Sequence, residues 1–444
     1  MHPYSYFMTS RFVVPLLCLT SLSAQTAPNV SKVVETYCSG CHNGRMRSPS
    51  SVLLDQFDAA RISANPEVWA RAYRQLQAGT MPPVGVPRPD RATYAAVLTS
   101  IEHDLGASAK PPVPAQSQDI ATRLATLLWN SAPDAALLED AQRNRLSDPA
   151  TLERHIHRML ADDRAQAFVT RFFVPWLQLD HLGNSNPDKK LFPDYDPSLR
   201  DSLGKETELF LLSQLRDDRD PIELWSANYT FVNEQLAKHY NIPNVSGPQF
   251  RRVSLSAPER AGLLGQGSIL MLTSTPLYSS PATRGKWIRM HFLGVPPPNP
   301  FPNATPVSPD LPITPQTRKL PVDPCMTCHR NFFPLGYALE NFDPLGRWRT
   351  QDQLGPVDAS GAFVDGASTN GVVELRQVLL QRPDAFRTAI TERLLAYSST
   401  GSAAPFNGTP ETLIRARQIL HGTPQPSWSA LIAAIVRTKP LAIE

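Results

Sequence analysis

The residues best suited to chemistry form two pentapeptides with the pattern CxxCH. They are CSGCH at 38–42 and CMTCH at 325–329. Two thiols separated by two residues can add across two vinyl groups on one porphyrin edge, and the next residue then presents an imidazole to the iron. The sequence therefore predicts two covalently bound haem c groups, with His42 and His329 as iron ligands. The attachment residues would be Cys38, Cys41, Cys325 and Cys328.

Two other uses of these cysteines fit the sequence less well. A four-thiolate zinc site would have to join pairs from opposite ends of the chain and would leave both histidines unexplained. Redox disulfides of the thioredoxin type would need a surrounding βαβ pattern, which the sequence lacks. Apart from Cys18, every cysteine lies in one of the two motifs, so none remains for a structural disulfide.

The residues around the first motif predict the elements that would enclose a haem. An apolar stripe runs along 29–37 into the motif. Met81 lies in a later loop rich in Gly and Pro, and a thioether opposite a histidine is a ligand pair of electron-transfer cytochromes. Asp90 can then cap a helix with the apolar face Tyr94, Val97, Leu98, Ile101 and Leu105. We therefore predict a class I cytochrome c domain at 28–107, with Met81 as the sixth iron ligand.

The N-terminus has the pattern of a secretory signal. Arg11 precedes the apolar run FVVPLLCLTSLSA, which is too short to cross a bilayer and ends in small residues. We expect residues 1–25 to be a signal peptide. No later run is apolar enough for a membrane helix, so the mature protein is expected to be soluble, in the periplasm or otherwise exported. A formal net charge of +3 over 444 residues gives no sign of nucleic-acid binding.

Most of the remaining chain has the apolar periodicity of helices, which predicts a mainly α fold. In one example, Asp148 can cap a helix with Leu152, Ile156, Met159 and Leu160 on one face. His155 and His157 lie off that face and are expected to be exposed to solvent.

The division of the chain into regions follows from its composition. There are 44 prolines, about twice the usual share of about 5%, so extended connectors are expected. After the cytochrome c domain we predict a multi-domain arrangement. Its parts are a helical central region at 119–294, a proline-rich connector at 295–320, a second haem c segment at 321–370 and a C-terminal helical domain at 371–444.

Five stretches of the sequence resemble one known family. They are LFPDYDPSLRDSLGKETELF, ANYTFVNEQLAKHYNIP, SPATRGKWIRMHFLGVPPPNPFP, CMTCHRNFFPLGYALENFDPLGRWR and VDASGAFVDG. The family is that of the planctomycete-type cytochrome c proteins, which also occur in acidobacteria. The resemblance covers nearly the whole mature chain and implies a secreted haem c protein with an N-terminal cytochrome domain and helical domains of unassigned function. Phe333 is a departure, since family members generally carry Asp before the following proline.

The sequence does not single out a sixth ligand for the second iron. No methionine follows Met326, and the one downstream histidine is His421. The upstream candidates are His239, Met290, His291 and Met271. We name His239 first because it lies in a family-like stretch, although a buried structural histidine is the commoner role. Arg347 and Arg349 are candidate partners for the haem propionates.

Each state of the second iron implies a different function. With both axial ligands present, the protein would be a di-haem cytochrome that transfers electrons between an exported dehydrogenase or similar enzyme and the respiratory chain, through a redox partner protein. With an open C-terminal haem, it would be a peroxidase- or oxygenase-like enzyme fed with electrons by the N-terminal haem. A third hypothesis is a haem-carrying binding module for a surface polymer. The sequence lacks a clear distal acid–base pair for peroxide cleavage, which favours electron transfer.

Overall fold

The computed structural model describes most of the chain in eight ranges. They are 29–45, 52–83, 85–107, 109–296, 331–363, 365–403, 408–423 and 425–441. The predicted signal peptide, nearly all of the proline-rich connector and the second CxxCH motif lie outside the described residues. Within the ranges above, no helix is both long and apolar enough to cross a membrane.

Helices make up most of the described chain, which confirms the mainly α prediction. The first eight are α1 Val30–Tyr37, α2 Pro66–Gln77, α3 Arg91–Ala107, α4 Ser117–Trp129, α5 Ala135–Gln142, α6 Pro149–Ala161, α7 Gln166–Phe168 and α8 Val174–Trp176. The next four are α9 Pro197–Arg216, α10 Glu234–Tyr240, α11 Gly267–Leu272 and α12 Pro281–His291. The last five are α13 Phe333–Tyr337, α14 Gly371–Leu380, α15 Pro383–Thr400, α16 Pro410–Gly422 and α17 Trp428–Val436.

The strands of the described chain are short and pair as antiparallel hairpin-like ladders. They are β1 Tyr229–Val232 with β2 Arg251–Ser254, β3 Gln351–Asp352 with β4 Gly355–Pro356, and β5 Ser360–Ala362 with β6 Ser368–Asn370. In the first pair Tyr229 lies opposite Ser254. No strand pair here is large enough to form a core of its own, so the helices must supply the buried surface.

One large hydrophobic core joins helices from α4 to α17. A π-helical turn at Val169–Phe173 connects α7 to α8. Its side chains Phe172 and Phe173 are buried in this core. Its aromatic members include Phe168, Phe172, Phe173, Trp176, Trp225, Trp287, Phe292, Phe386 and Trp428. The predicted regions at 119–294 and 371–444 therefore share a single core.

The N-terminal helices form a second, smaller core around Trp69, Tyr73 and Ile101. The C-terminal helix α16 contributes Leu413 and Ile414 to it. The largely buried side chain of Arg74 in α2 also pairs with Glu392 of α15 at 2.6 Å. The N-terminal unit is thus fixed against the C-terminal helices by both apolar packing and an ion pair shielded from solvent.

Helix α6 confirms one part of its prediction and corrects another. Asp148 accepts a hydrogen bond from the Thr151 N–H at 2.9 Å and caps the helix as expected. His155, however, is buried and pairs with Asp140 of α5 at 2.8 Å, so the prediction of a solvent-exposed His155 was wrong. The carboxylate on the neighbouring helix satisfies the imidazole and allows it to be buried. The side chain of His157 is half exposed, as predicted.

Candidate haem-binding site

The first CxxCH motif forms one tight turn at the end of α1. Cys38 follows the helix and donates its N–H to the Val34 carbonyl at 2.9 Å. The N–H groups of Cys41 and His42 both donate to the Cys38 carbonyl, at 3.1 and 2.9 Å. The turn thereby holds both thiols and the imidazole in one compact region, which is what attachment at a single porphyrin edge requires.

A hydrogen bond from the imidazole ring to a backbone carbonyl fixes the tautomer of His42. Its Nδ1 lies 2.9 Å from the Val52 carbonyl oxygen and, since a carbonyl only accepts, must carry the proton. The lone pair is then on Nε2, the tautomer in which an imidazole binds a metal with its outer nitrogen. Asp55 holds the same loop by accepting from the Gly44 N–H at 3.0 Å. The tautomer of His42 is therefore compatible with its predicted role as an iron ligand, which stays a prediction.

The two thiols of this motif are free of disulfide bonding. Burial, with a smaller contribution from Cys41, raises the pKa of Cys38 to about 11. Cys38 is accordingly a neutral thiol near pH 7, unlike the low-pKa thiolate of a redox-active CxxC motif. This favours an attachment role over a redox disulfide.

The loop that carries Met81 lies near the motif. Tyr94 of α3 donates its hydroxyl to the Met81 carbonyl at 2.5 Å, and Arg88 donates to the Gly79 carbonyl at 2.8 Å. Burial raises the pKa of Tyr94, and the nearby Cys38 adds to that rise. Tyr94 thus lies close to both Cys38 and the methionine loop. The structure shows the Met81 backbone and Cys38 both close to Tyr94 of α3, and two thiols, an imidazole and a thioether are the donor types that hold haem c.

The chain that follows the second motif packs tightly against α12. A Cβ atom at Gly285 would lie 1.8 Å from the Phe332 carbonyl oxygen, and one at Gly336 would lie 1.8 Å from that of Pro281. Only glycine permits such an approach of two backbones. Arg284 is buried beside this contact and donates to the Leu339 carbonyl at 2.6 Å. The segment that follows the second motif in the sequence is therefore closely packed against α12.

A buried polar link joins this segment to the Met81 loop. Arg289 of α12 donates to the Gln75 side-chain oxygen at 3.1 Å and to the Asn331 carbonyl at 3.4 Å. Thr80, which precedes Met81, donates to the same Gln75 oxygen at 2.5 Å. Burial lowers the pKa of Arg289 to about 10, so the guanidinium still carries its charge near neutral pH.

Sequence reasoning missed Gln75 and Arg289. One signal was available for the arginine, because it lies among apolar residues in the stretch KWIRMHF. A charged side chain in such a setting is buried only when it has specific partners. The identity of those partners depends on contacts between residues more than two hundred positions apart in the chain.

His239 makes hydrogen bonds to protein groups at both ring nitrogens. Its Nε2 donates to the Leu345 carbonyl at 2.8 Å, and its Nδ1 accepts from Arg347 Nε at 3.3 Å. Burial lowers the pKa of His239 to about 4, which keeps the ring neutral. Its role as an iron ligand stays a prediction, and coordination would require one of these bonds to break. Arg349 likewise donates to the Ser279 hydroxyl at 2.8 Å.

The other candidate ligands lie in different surroundings. The exposed side chain of His421 pairs with Glu102 of α3 at 3.2 Å. His291 is fully buried between Trp176 and Trp287, and neither ring nitrogen has a hydrogen-bond partner among the described residues. A cavity of about 20 Å³ beside it has room for about one water. Met271 is buried in a third, small hydrophobic core, together with Leu203, Leu236 and Tyr240.

A buried carboxyl group close to His239 gives a prediction that is independent of haem. Glu206 accepts from the hydroxyls of Thr230 and Tyr240, at 2.5 and 2.7 Å. Burial raises the pKa of Glu206 to about 7, whereas in the unfolded chain it titrates near 4.5. The folded state thus binds this proton more tightly. The stabilisation is complete below about pH 4.5 and is lost as the pH rises through about 7.

We expect Glu206→Gln to remove this pH dependence. The difference in free energy of unfolding between wild type and the variant should fall by about 3 kcal/mol between pH 4.5 and 8, because each unit of pKa shift corresponds to about 1.4 kcal/mol. Denaturant titrations at several pH values measure it. Glu208→Gln, on the same helix but partly exposed and paired with Lys205, is the matched control. A difference between wild type and Glu206→Gln that does not vary with pH would contradict the assignment.

Two family models match parts of the chain. Residues 116–242 match the family described as PSD4, a protein of unknown function (DUF1592), and residues 260–352 match PSCyt3, a protein of unknown function (DUF1588). Both are domains associated with planctomycete cytochrome c proteins, in agreement with the resemblance noted from the sequence, and neither is itself a cytochrome c domain. No curated protein and no solved structure matches the chain. Over these two segments the chain is similar to cytochrome-associated proteins.

Proposed function

We propose that this protein is an exported di-haem c-type cytochrome that relays electrons between an exported enzyme and a respiratory chain. The observation that carries the proposal is the buried link from the Met81 loop through Gln75 and Arg289 to Asn331. One end of the link adjoins the loop that would supply a ligand to the first iron. The other end lies two residues beyond His329, the proposed ligand of the second iron.

The covalent attachment would use all four cysteines of the two motifs. Cys38 and Cys41 with His42 and Met81 would hold the N-terminal haem, and Cys325, Cys328 and His329 would hold the C-terminal one. Bound haem c supplies a one-electron carrier whose potential depends on its axial ligands. The part played by the chain is to fix two such groups close together and to shield the path between them from water.

The buried charge of Arg289 supports a role in electron transfer as well as in packing. A guanidinium that is 3% exposed acts through a lower dielectric than bulk water, so its field at nearby groups is strong. A positive charge stabilises the added electron of a reduced centre. Arg289 is therefore expected to raise the potentials of both haems while it joins the two segments.

We expect Arg289→Met to slow electron exchange between the two haems. The substitution keeps a long buried side chain but removes the hydrogen bonds to Gln75 and Asn331. A tenfold decrease in rate would correspond to about 1.4 kcal/mol in activation free energy. The measurement is the re-equilibration of the two haem spectra after rapid, substoichiometric reduction of the full-length protein.

A matched control distinguishes the link from general damage to α2. Gln75→Leu should also slow the exchange. The effects of Gln75→Leu and Arg289→Met on the rate should not be fully additive, because both variants break the same link. Gln77→Leu removes a glutamine of the same helix that contacts Thr388 and not α12, and the rate should be unchanged. Unaltered exchange in Arg289→Met, with two haems retained, would contradict the proposal.

A further inference from the structure

The chain that carries Met81 is a long connection between α2 and α3. It runs over residues 78–90 and contains no helix or strand among its described residues. A segment without regular structure keeps one conformation only where specific contacts hold it. The Met81 side chain is partly exposed, so its position depends on how firmly the backbone on either side is fixed.

Arg88 binds the backbone on both sides of Met81. Its Nη2 donates to the Gly79 carbonyl at 2.8 Å, and its Nη1 donates to the Pro82 carbonyl. Gly79 lies two residues before Met81 and Pro82 lies one residue after it. The N–H donors of a guanidinium form a rigid, planar fork, which allows one side chain to bind two carbonyls at once. Arg88 therefore bridges the loop around Met81.

Tyr94 connects this bridge to a rigid element. Its hydroxyl donates to the carbonyl of Met81 itself at 2.5 Å. The guanidinium carbon of Arg88 lies 5.6 Å from the centre of the Tyr94 ring, within the range of a cation–π contact. Tyr94 belongs to α3, whose residues Val97 and Ile101 are buried in the N-terminal core. The loop is thus fixed to a helix that packs in a core.

The hydrogen bonds of Arg88 are of a strong kind. A charged donor makes hydrogen bonds roughly twice as strong as those between neutral groups. The side chain is also partly buried, which reduces competition from water. Any opening of the loop at Met81 has to break these bonds, so Arg88 lowers the population of the open loop.

We infer that Arg88 is a positioning residue that keeps Met81 in place as an iron ligand. The inference rests on the proposed function, since it requires a haem at the first motif. Arg88 acts through the backbone of residues 79–82 and makes no bond to the iron. Its role is to slow the opening of the loop, and hence the departure of the thioether from the N-terminal centre.

The test is the rate at which added imidazole displaces Met81 in the oxidised, full-length protein. Imidazole can bind that iron only after the methionine has left, so the rate reports the opening of the loop. We expect Arg88→Leu to raise it by about tenfold, which corresponds to about 1.4 kcal/mol in activation free energy. The measurement is the decay of the near-infrared charge-transfer band of methionine-ligated ferric haem, restricted to the part of the band that Met81→Ala lacks.

Two further variants separate the two-sided bridge from other roles of an arginine. Arg88→Lys keeps the positive charge but has a single ammonium in place of the fork, so the rate should still exceed that of wild type. It is the milder change and decides the question if Arg88→Leu does not retain two haems. Arg91→Leu removes an exposed arginine at the start of α3 and is the matched control, with an unchanged rate.

The outcomes distinguish this inference from the proposed function. A wild-type rate in Arg88→Leu, with two haems and the full band retained, would overturn the inference and leave the di-haem function intact. A wild-type rate in Arg88→Lys would overturn it as well, because charge alone would then be sufficient. A wild-type protein without haem at the first motif would overturn the proposed function and this inference together.

Discussion

Protein produced with a haem c maturation system is expected to carry two covalent haem groups, and serine substitution of Cys38 and Cys41 is expected to remove one of them. A thioether bond needs the cysteine sulfur, so the double variant cannot attach haem at the first motif. The intact mass of the mature chain should therefore exceed that of the polypeptide by two haems in wild type and by one in the variant. Cys325→Ser with Cys328→Ser should give the same loss at the other motif.

Ser39→Ala is the matched control for these substitutions. It alters the first motif without removing a thiol and should leave the haem count at two. A mature protein that binds stoichiometric zinc and no haem would contradict the assignment of both motifs. Optical spectra of the same samples report whether each remaining haem is intact.

The second large effect is expected at Met81. Replacement by Ala removes the proposed sulfur ligand of the N-terminal iron, so the near-infrared charge-transfer band of methionine-ligated ferric haem should lose the contribution of that centre. The potential of that centre should fall by on the order of a tenth of a volt or more, a fraction of the roughly 0.8 V over which axial ligands set haem potentials. The thioether favours Fe(II), which gives the direction of the change.

Met46→Ala provides the control for Met81→Ala. Met46 is nearer to the first motif in the sequence, in a basic and polar run, and its substitution should leave the band and the potential unchanged. If the full band persists in Met81→Ala and weakens in Met46→Ala, the ligand assignment is wrong.

Local features of the fold could be predicted from the sequence because they depend on nearby residues. The helix before Cys38 and the helix that starts after Asp90 both form where the apolar stripes indicate, and Asp90 caps the latter by accepting from the Thr93 N–H at 2.8 Å. Asp148 does the same for α6. Capping and periodicity involve residues only three or four positions apart, so one sequence is sufficient to recognise them.

Features set by distant residues could not be predicted in the same way. His155 is buried because Asp140 of another helix pairs with it, and periodicity within α6 gave no sign of that partner. His239 bonds to Leu345 and Arg347, more than a hundred positions along the chain. The link from Gln75 to Arg289 arises in the same way, from packing between elements that the sequence does not pair.

The central claim, two six-coordinate haems that relay electrons, is tested most directly by the EPR spectrum of the oxidised wild-type protein. The account predicts two low-spin ferric signals, no high-spin signal, and no turnover of hydrogen peroxide with an electron donor above that of free haem. A stoichiometric high-spin ferric signal in the wild type, with peroxide turnover that is lost in His329→Ala, would contradict the relay. It would show that the C-terminal haem is open and that the protein is an enzyme.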